Sequence, residues 1–534
     1  MNKKLASAIL FAFSFHCASA QLYINSAQLT IQTGASVVVQ GDVTSNTNIL
    51  GDGKIVLNGS AAQNVSMSGN TIPNLEVNNT ANATLTSDAR IGSSIVFTNG
   101  KIVAGNYNLT LSDVATASGM ADSKFVETSG TGQVYKELTA NVTSSEIPVG
   151  VGTTYRPAFL TTSGTYASAK AGFKASATAA AAMPVRISDY TNASWPVTVT
   201  GVTGTVNVAV KYVDPTDVVG TESNLRGYFY NGTDWSSAGT SNDATANKVG
   251  VTVTGAGGIV TGMDKFVLVG ARAFLQGCYV AGTGLMIDVL RSASYLPTTD
   301  PYRATPYSTS FTHVNNATTE SVVGTPFTTN ATVADNIVDW VYLELRNTNA
   351  SPGNTILQTR SALIQRDGDI VDVDGVSPVT FNNIADGNYA LTVRHRNHLA
   401  ISSSPTAGST ALGEAKSTAY TTKVIDLRTA PSNKLYGTST GYTTAAHPTL
   451  TTVNLMWGGN ANSNTNSRYS GASNDRAAIL TDLGSELTTQ TGYKRSDLNM
   501  NGTVKYSGAG NDRAYLLSTV LSSELTVRTQ QIPN

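Results

Sequence analysis

The sequence predicts a mainly β chain: an N-terminal β-solenoid-like domain, then β-sandwich domains, then a small C-terminal pair of loop-helix units. Three observations predict it. Only 13% of the 534 residues are charged, 48 are glycine, and Thr, Ser, Asn and Val crowd the remainder, a balance that favours short strands and turns over helices. Short apolar pieces recur closely between Asn/Gly turns in the first part of the chain. Near the C-terminus one pattern occurs twice, Asn460 of the first copy matching Asp497 of the second, an offset of 37 residues.

The elements follow in chain order. Lys3 and Lys4 precede an apolar run from Leu5 to Phe15, and Ala18-Ser19-Ala20 is the small-x-small site of a signal peptidase. Residues 1–20 are therefore expected as a signal peptide, with a mature chain that starts at Gln21 and is secreted or held at the outer cell surface. Cys17 lacks the small-residue run of a lipobox, and no apolar stretch approaches the roughly 20 residues of a membrane span, so no transmembrane segment is expected in the mature chain. Cleavage leaves Cys278 as the single cysteine, which excludes an internal disulfide framework. A net charge of −1 provides no basic field for nucleic acid or a membrane surface.

Residues 21–150 are the solenoid-like region. Leu29-Thr-Ile31, Val37-Val-Val39, Ile55-Val56-Leu57, Leu75-Glu-Val77, Ile95-Val96-Phe97, Ile102-Val103 and Leu109-Thr-Leu111 are separated by turns such as Gly51-Asp-Gly53 and Asn99-Gly100. Their in-out alternation suits rungs that bury one face against the next, and irregular spacing leaves a β-sandwich as the competitor. Residues 151–274 read as a β-sandwich, with strands at Val197–Val199, Val206–Val213, Leu225–Tyr230, Val249–Val253 and Phe266–Leu268 and with Trp195 and Trp235 filling its core. A second sandwich is expected at 275–430, with strands at Val341–Leu345, Ile356–Gln358, Ala362–Gln365, Val379–Phe381 and Tyr389–Val393, and a linker at 431–457.

Residues 458–534 hold the duplicated pattern. The second copy sets Asp497, Asn499 and Asn501 at loop positions 1, 3 and 5, Gly502 at 6 and Val504 at 8, the arrangement a hard cation such as Ca2+ requires. Gly508 stands where an EF-hand has its closing acid. The next carboxylate, Asp512, can close the shell if the chain detours through Tyr506 to Ala509. The ligands expected are Asp497, Asn499, Asn501, the Thr503 carbonyl and Asp512, and in the first copy Asn460, Asn462, Asn464, the Asn466 carbonyl and Asp475. The competing reading is of Asn/Gly turns whose side chains bond their own backbone. After each Asn-Asp-Arg the period becomes helical, placing Ile479, Leu480, Leu483 and Leu487 on one face, and Leu516, Leu517, Val520, Leu521 and Leu525 on the other copy's face.

Two consecutive loop-helix units of this kind resemble a type I dockerin, in the variant with Tyr-Ser-Gly-Ala-x-Asn-Asp-Arg insertions, here Tyr469 to Arg476 and Tyr506 to Arg513. Leu296-Pro-Thr-Thr-Asp-Pro-Tyr302, Thr359 to Gly368, Asp372 to Val379 and Val393-Arg-His-Arg-Asn-His398 are similar to secreted, hemagglutinin-like surface proteins of the Bacteroidetes. The resemblance implies an architecture and a location more than an activity.

Catalytic constellations are declined. Asp367, Asp369, Asp372 and Asp374 read as turn residues bracketing a short apolar step, and His395 and His398 as hydrogen-bonded loop residues without a third zinc ligand. No nucleophile elbow or phosphate-cradling glycine loop occurs. The expected function is therefore a non-catalytic structural or adhesion protein whose calcium module stabilises the chain or docks a partner, such as a surface protein or an extracellular polysaccharide. The alternative is a polysaccharide-active enzyme or a glycan-binding accessory subunit.

Overall fold

The computed structural model describes residues 20–348, 354–412 and 424–533. The signal peptide expected at 1–20, with Cys17, lies outside them apart from Ala20. The described chain is mainly β and divides into two compact units. One comprises residues up to 180 with 190–232 and 237–262; the other comprises 181–189, 233–236 and 263–534. The boundaries expected at 150 and 457 each fall inside a unit, and the one expected at 274 moves to about 262 because Phe266–Arg272 pairs with Val379–Asn382.

The first unit is a β-solenoid. One parallel sheet stacks Leu22–Ile24, Val43–Ser45, Gln63–Ser66, Ala83–Leu85, Ile102–Val103, Val126–Glu127 and Val149–Val151. A second runs through Ser36–Val39, Lys54–Leu57, Thr71–Asn78 and Ala89–Asn99 to Leu109–Leu111 and Val134–Leu138. Alternate residues of these strands point inward and are buried, among them Val43, Ile55, Leu75, Val77, Ile91, Phe97, Ile102 and Leu109. Outside, side-chain amides form ladders: Asn99 donates to Asn78 (2.7 Å) and Asn78 to Asn58 (3.0 Å). The stack ends where Ala158–Phe173 runs antiparallel to Val134–Leu138 and Val142–Ile147, then pairs with Trp195–Lys211, which pairs with Lys248–Val253. A terminal rung covered by antiparallel strands exposes no parallel edge at that end.

Several expected strands join. Val197–Val199 and Val206–Val213 become the single strand Trp195–Lys211, because Gly204 lies against Gly164 of the partner strand, where an added Cβ would sit 2.1 Å from the Ser163 carbonyl oxygen. Both tryptophans are buried but do not share a core: Trp195 belongs to the solenoid unit, Trp235 to the other.

The second unit is built on a sheet in the order Val379–Asn382, Phe266–Arg272, Asp369–Val371, Ile356–Gln365, Ile337–Arg346, Gly387–His395 and His398–Ser402. All ten residues of Ile337–Arg346 are buried, the signature of a strand covered on both faces. The region expected as a linker instead holds an antiparallel hairpin, Thr443–His447 with Thr451–Leu455. Cys278 is buried and unpaired.

Candidate metal centre

The two C-terminal loops share most of their hydrogen bonds. In the second, Asp497 accepts from the backbone N–H of Asn501 (3.1 Å) and Gly502 (2.8 Å), Asn499 Oδ1 from Asn501 (3.1 Å), and Asn501 Oδ1 from Thr503 (2.9 Å). Asp512 reaches back after the detour and accepts from Leu498 N–H (2.8 Å) and Lys505 N–H (2.9 Å). In the first, Asn460 Oδ1 accepts from Asn464 N–H (3.0 Å), Asn462 Oδ1 from the same N–H (3.1 Å), Asn464 Oδ1 from Asn466 N–H (2.7 Å), and Asp475 from Asn462 (3.3 Å) and Arg468 (2.8 Å). Asn460 Nδ2 donates to the Asn464 carbonyl (2.8 Å), which turns its Oδ1 to the place Asp497 Oδ1 holds. The side chains expected as ligands are thus gathered in two loops, and the turn reading and the metal reading share these bonds.

Burial distinguishes the carboxylates. Asp475, Asp497 and Asp512 are each fully buried, and no Lys, Arg or His lies within ion-pair distance of them among the described residues. Desolvation pushes Asp497 up to about 6 and Asp475 and Asp512 up to about 7. Buried charge of this kind is costly unless a cation is at hand. The second loop supplies two carboxylates with amide and carbonyl oxygens, a donor set that fits calcium; the first supplies one. No cluster of three or more His, Cys, Asp or Glu side chains placed to hold a metal occurs among the described residues.

Each loop leads into a helix. Asp475–Leu483 is α-helical, capped by Asn474, whose side chain accepts from Ala477 N–H, and closed by Gly484 in the left-handed region. Asp512–Ala514 begins the same way under Asn511 but continues as a π-helix, Tyr515–Leu521, closed by Ser522. The second copy has one more residue between its Asp-Arg and Ser-Glu-Leu segments, and the π turn absorbs it, as such bulges do. Both Val520 and Leu521 thereby face inward and join Ile479, Leu483 and Leu516 in one core. Leu487 and Leu525, expected on those apolar faces, are instead 90% and 86% exposed, because each helix has already ended at its left-handed cap.

The copies are related by a pseudo-two-fold. Asn466–Arg468 pairs with Val527–Thr529, and Thr503–Lys505 pairs with Thr489–Thr491, so each copy's loop strand is completed by the other's last strand. Ser470 Oγ donates to the Glu524 carbonyl and Ser507 Oγ to that of Glu486. Arg476 lies over Tyr469 at 4.8 Å and Arg513 over Tyr506 at 4.9 Å.

The tip between strands Gly387–His395 and His398–Ser402 sits where the loops begin. Asn397 accepts from Asn460 N–H (3.1 Å) and donates to the Asp497 carbonyl (2.7 Å), so one side chain and its backbone hold position 1 of both loops. Ser463 Oγ donates to the Arg396 carbonyl (2.7 Å), and Arg396 Nη1 donates to the Lys494 carbonyl. Under the tip, Asp339 accepts from Arg396 Nε (2.9 Å), His395 Nε2 (3.0 Å) and Tyr493 OH (2.7 Å). Burial alone would raise the Asp339 pKa, but Arg396 and His395 outweigh it and hold the carboxyl at about 2. Gly277 N–H donates to His398 Nε2 (3.0 Å), which leaves the His398 proton on Nδ1, facing His395 Nδ1 (3.0 Å). This His-His-Asp chain is buried throughout; it positions the tip and presents no face to a substrate. The histidines are hydrogen-bonded as their sequence context suggests, while their partner Asp339 carries no local sequence signal.

The remaining acidic group is dispersed. Asp369 pairs with Arg272, Asp372 with Arg360 (3.2 Å), and Asp374 caps the turn at Val376 and Ser377. Comparison of the chain with family models, curated proteins and solved structures finds no match. No described helix is long and apolar enough to cross a membrane.

Proposed function

We propose that the protein is a non-catalytic, secreted or cell-surface structural and adhesion protein in which residues 458–534 form a dockerin-like calcium module that locks onto the chain's own β-sheet. The sandwich reading of residues 151–274 and 275–430 belongs to the same proposal. The observation that carries it is the burial of Asp497 and Asp512 in a closed loop without a cationic side chain. An ion neutralising both would remove the desolvation cost and keep the loop closed. The hold of Asn397 on both loops supports a stabilising role over docking to a separate protein. Dispersal of the Asp367–Asp374 carboxylates favours the structural reading over the polysaccharide-active enzyme. The test is calorimetry of the mature chain, residues 21–534, in calcium and in chelator. Calcium should raise the melting temperature, and Asp497→Ala with Asp512→Ala should remove the increase. Identical melts of the unaltered chain in both conditions would refute the metal reading.

A further inference from the structure

We infer that the second unit carries a binding cleft for an acidic sugar residue, lined by Arg186, Asn315, Gln358, Arg360, Asn382 and Asn383. The inference gives the adhesive part of the proposed function a ligand, rests on that part only for its setting, and does not need the calcium loops. The cleft encloses about 210 Å³, below the roughly 300–1,000 Å³ of drug-sized sites and suited to a single ring. Its charged floor is already committed: Arg360 bonds Glu320, the Thr380 carbonyl and Asp372, and Glu320 also accepts from Ser361 N–H. Arg360 is thus shared between two carboxylates, and Arg186 is the cation left for a ligand.

Three polar atoms on its wall have no protein partner. Gln358, only 8% exposed, donates from Nε2 to the Asn315 carbonyl (2.9 Å) while its Oε1 is buried and unbonded. Asn382 donates to the Arg186 carbonyl while its Oδ1 is likewise unbonded. Arg186 donates from Nη2 to the Ser321 carbonyl (3.3 Å), its Nε is buried and unbonded, and no carboxylate lies within ion-pair distance among the described residues. Buried polar atoms in native proteins are nearly always satisfied, so a cluster of exceptions calls for a ligand or ordered water. Two acceptors want hydroxyl or N–H donors, and one cationic donor wants an anion. A hydroxylated carboxylic acid of monosaccharide size meets both demands; a neutral sugar meets only the first. Arg186 also holds φ at +74°, a left-handed conformation unfavourable for a long side chain, which fixes it at the mouth at a cost in strain.

The experiment is ligand-observed NMR on the mature chain in chelator, with D-glucuronate, D-galacturonate and N-acetylneuraminate as probes and D-glucose as the neutral control. At least one acidic sugar should bind with a dissociation constant near or below about 1 mM and more tightly than glucose. Arg186→Gln and Gln358→Met should each weaken it about tenfold while leaving the melting temperature in place. Arg186→Lys, which keeps the charge without Nε, should fall between. Absence of binding by all three acids, equal binding of glucose, or unaltered affinity in folded Arg186→Gln protein would overturn the inference. Because chelator is present throughout, failure here is distinct from failure of the calcium reading.

Discussion

Replacing Asp339 by asparagine tests whether the central sheet and the C-terminal module form one cooperative structure. Asp339 is fully buried; its Oδ2 accepts from Arg396 Nε and His395 Nε2, its Oδ1 from Tyr493 OH and Trp340 N–H. In Asp339→Asn, either orientation of the amide sets an NH2 against donors and leaves the buried Arg396 guanidinium without its counter-charge. Breaking a buried pair from one side costs about 3–5 kcal/mol. The pH dependence gives a second reading. The folded carboxyl is held at about 2 against an ordinary 3.8, so its contribution is complete above pH 4 and is lost as pH falls through 2. That loss amounts to about 2 kcal/mol. Urea unfolding followed by fluorescence should therefore show Asp339→Asn less stable by about 3–5 kcal/mol at pH 7, with the gap to the unaltered protein narrowing by about 2 kcal/mol on acidification. A gap under about 1 kcal/mol at neutral pH, or one that widens in acid, would refute the assignment of Asp339 as the anchor.

Free calcium about a hundredfold above its dissociation constant should add about 2.7 kcal/mol, read as a higher melting temperature that chelator reverses and Asp497→Ala with Asp512→Ala abolishes. Asn397→Ala removes the bond to the Asp497 carbonyl and should cost about 1–2 kcal/mol, read as a lower melting temperature by calorimetry. Deleting Thr519 restores the length of the first helix and moves Val520 to the place of Asp482. The π turn should become α-helical at a cost of about 1.5–3 kcal/mol in lost Val520 burial, measurable by crystallography and urea titration.

The parts legible in the sequence were those written in short-range pattern. Alternation at Ile55-Val56-Leu57 and Leu75-Glu-Val77 marked solenoid strands, although the rungs differ in length, from 18 residues between Ser36 and its partner Lys54 to 25 between Leu109 and Val134. The Asn-Asp-Arg caps correctly marked both helix starts. The helix ends were overrun because the period continues to Leu487 and Leu525 after the left-handed residues Gly484 and Ser522 have broken it; Gly484 was a readable stop, Ser522 was not. The strands expected at Val197–Val199 and Val206–Val213 are one, since the close approach of Gly204 to Gly164 shows only when the partner strand is in place. The anchor was invisible for a different reason: 56 residues separate Asp339 from His395, and neither segment alone reveals that burial will force the pairing.

The exchange of strands inside the module makes each copy the other's missing neighbour. A lone copy would carry Asn466–Arg468 with no neighbour and offer Thr489–Thr491 to nothing, since each is completed only by the other repeat. Two separate molecules of such a unit, however, could complete one another about a true two-fold axis. In this chain both units are present, so the pairing is completed within one molecule. The two halves are not identical: Asn460 holds the place of Asp497, and the one additional residue of the second copy goes with a π-helix where the first has an α-helix.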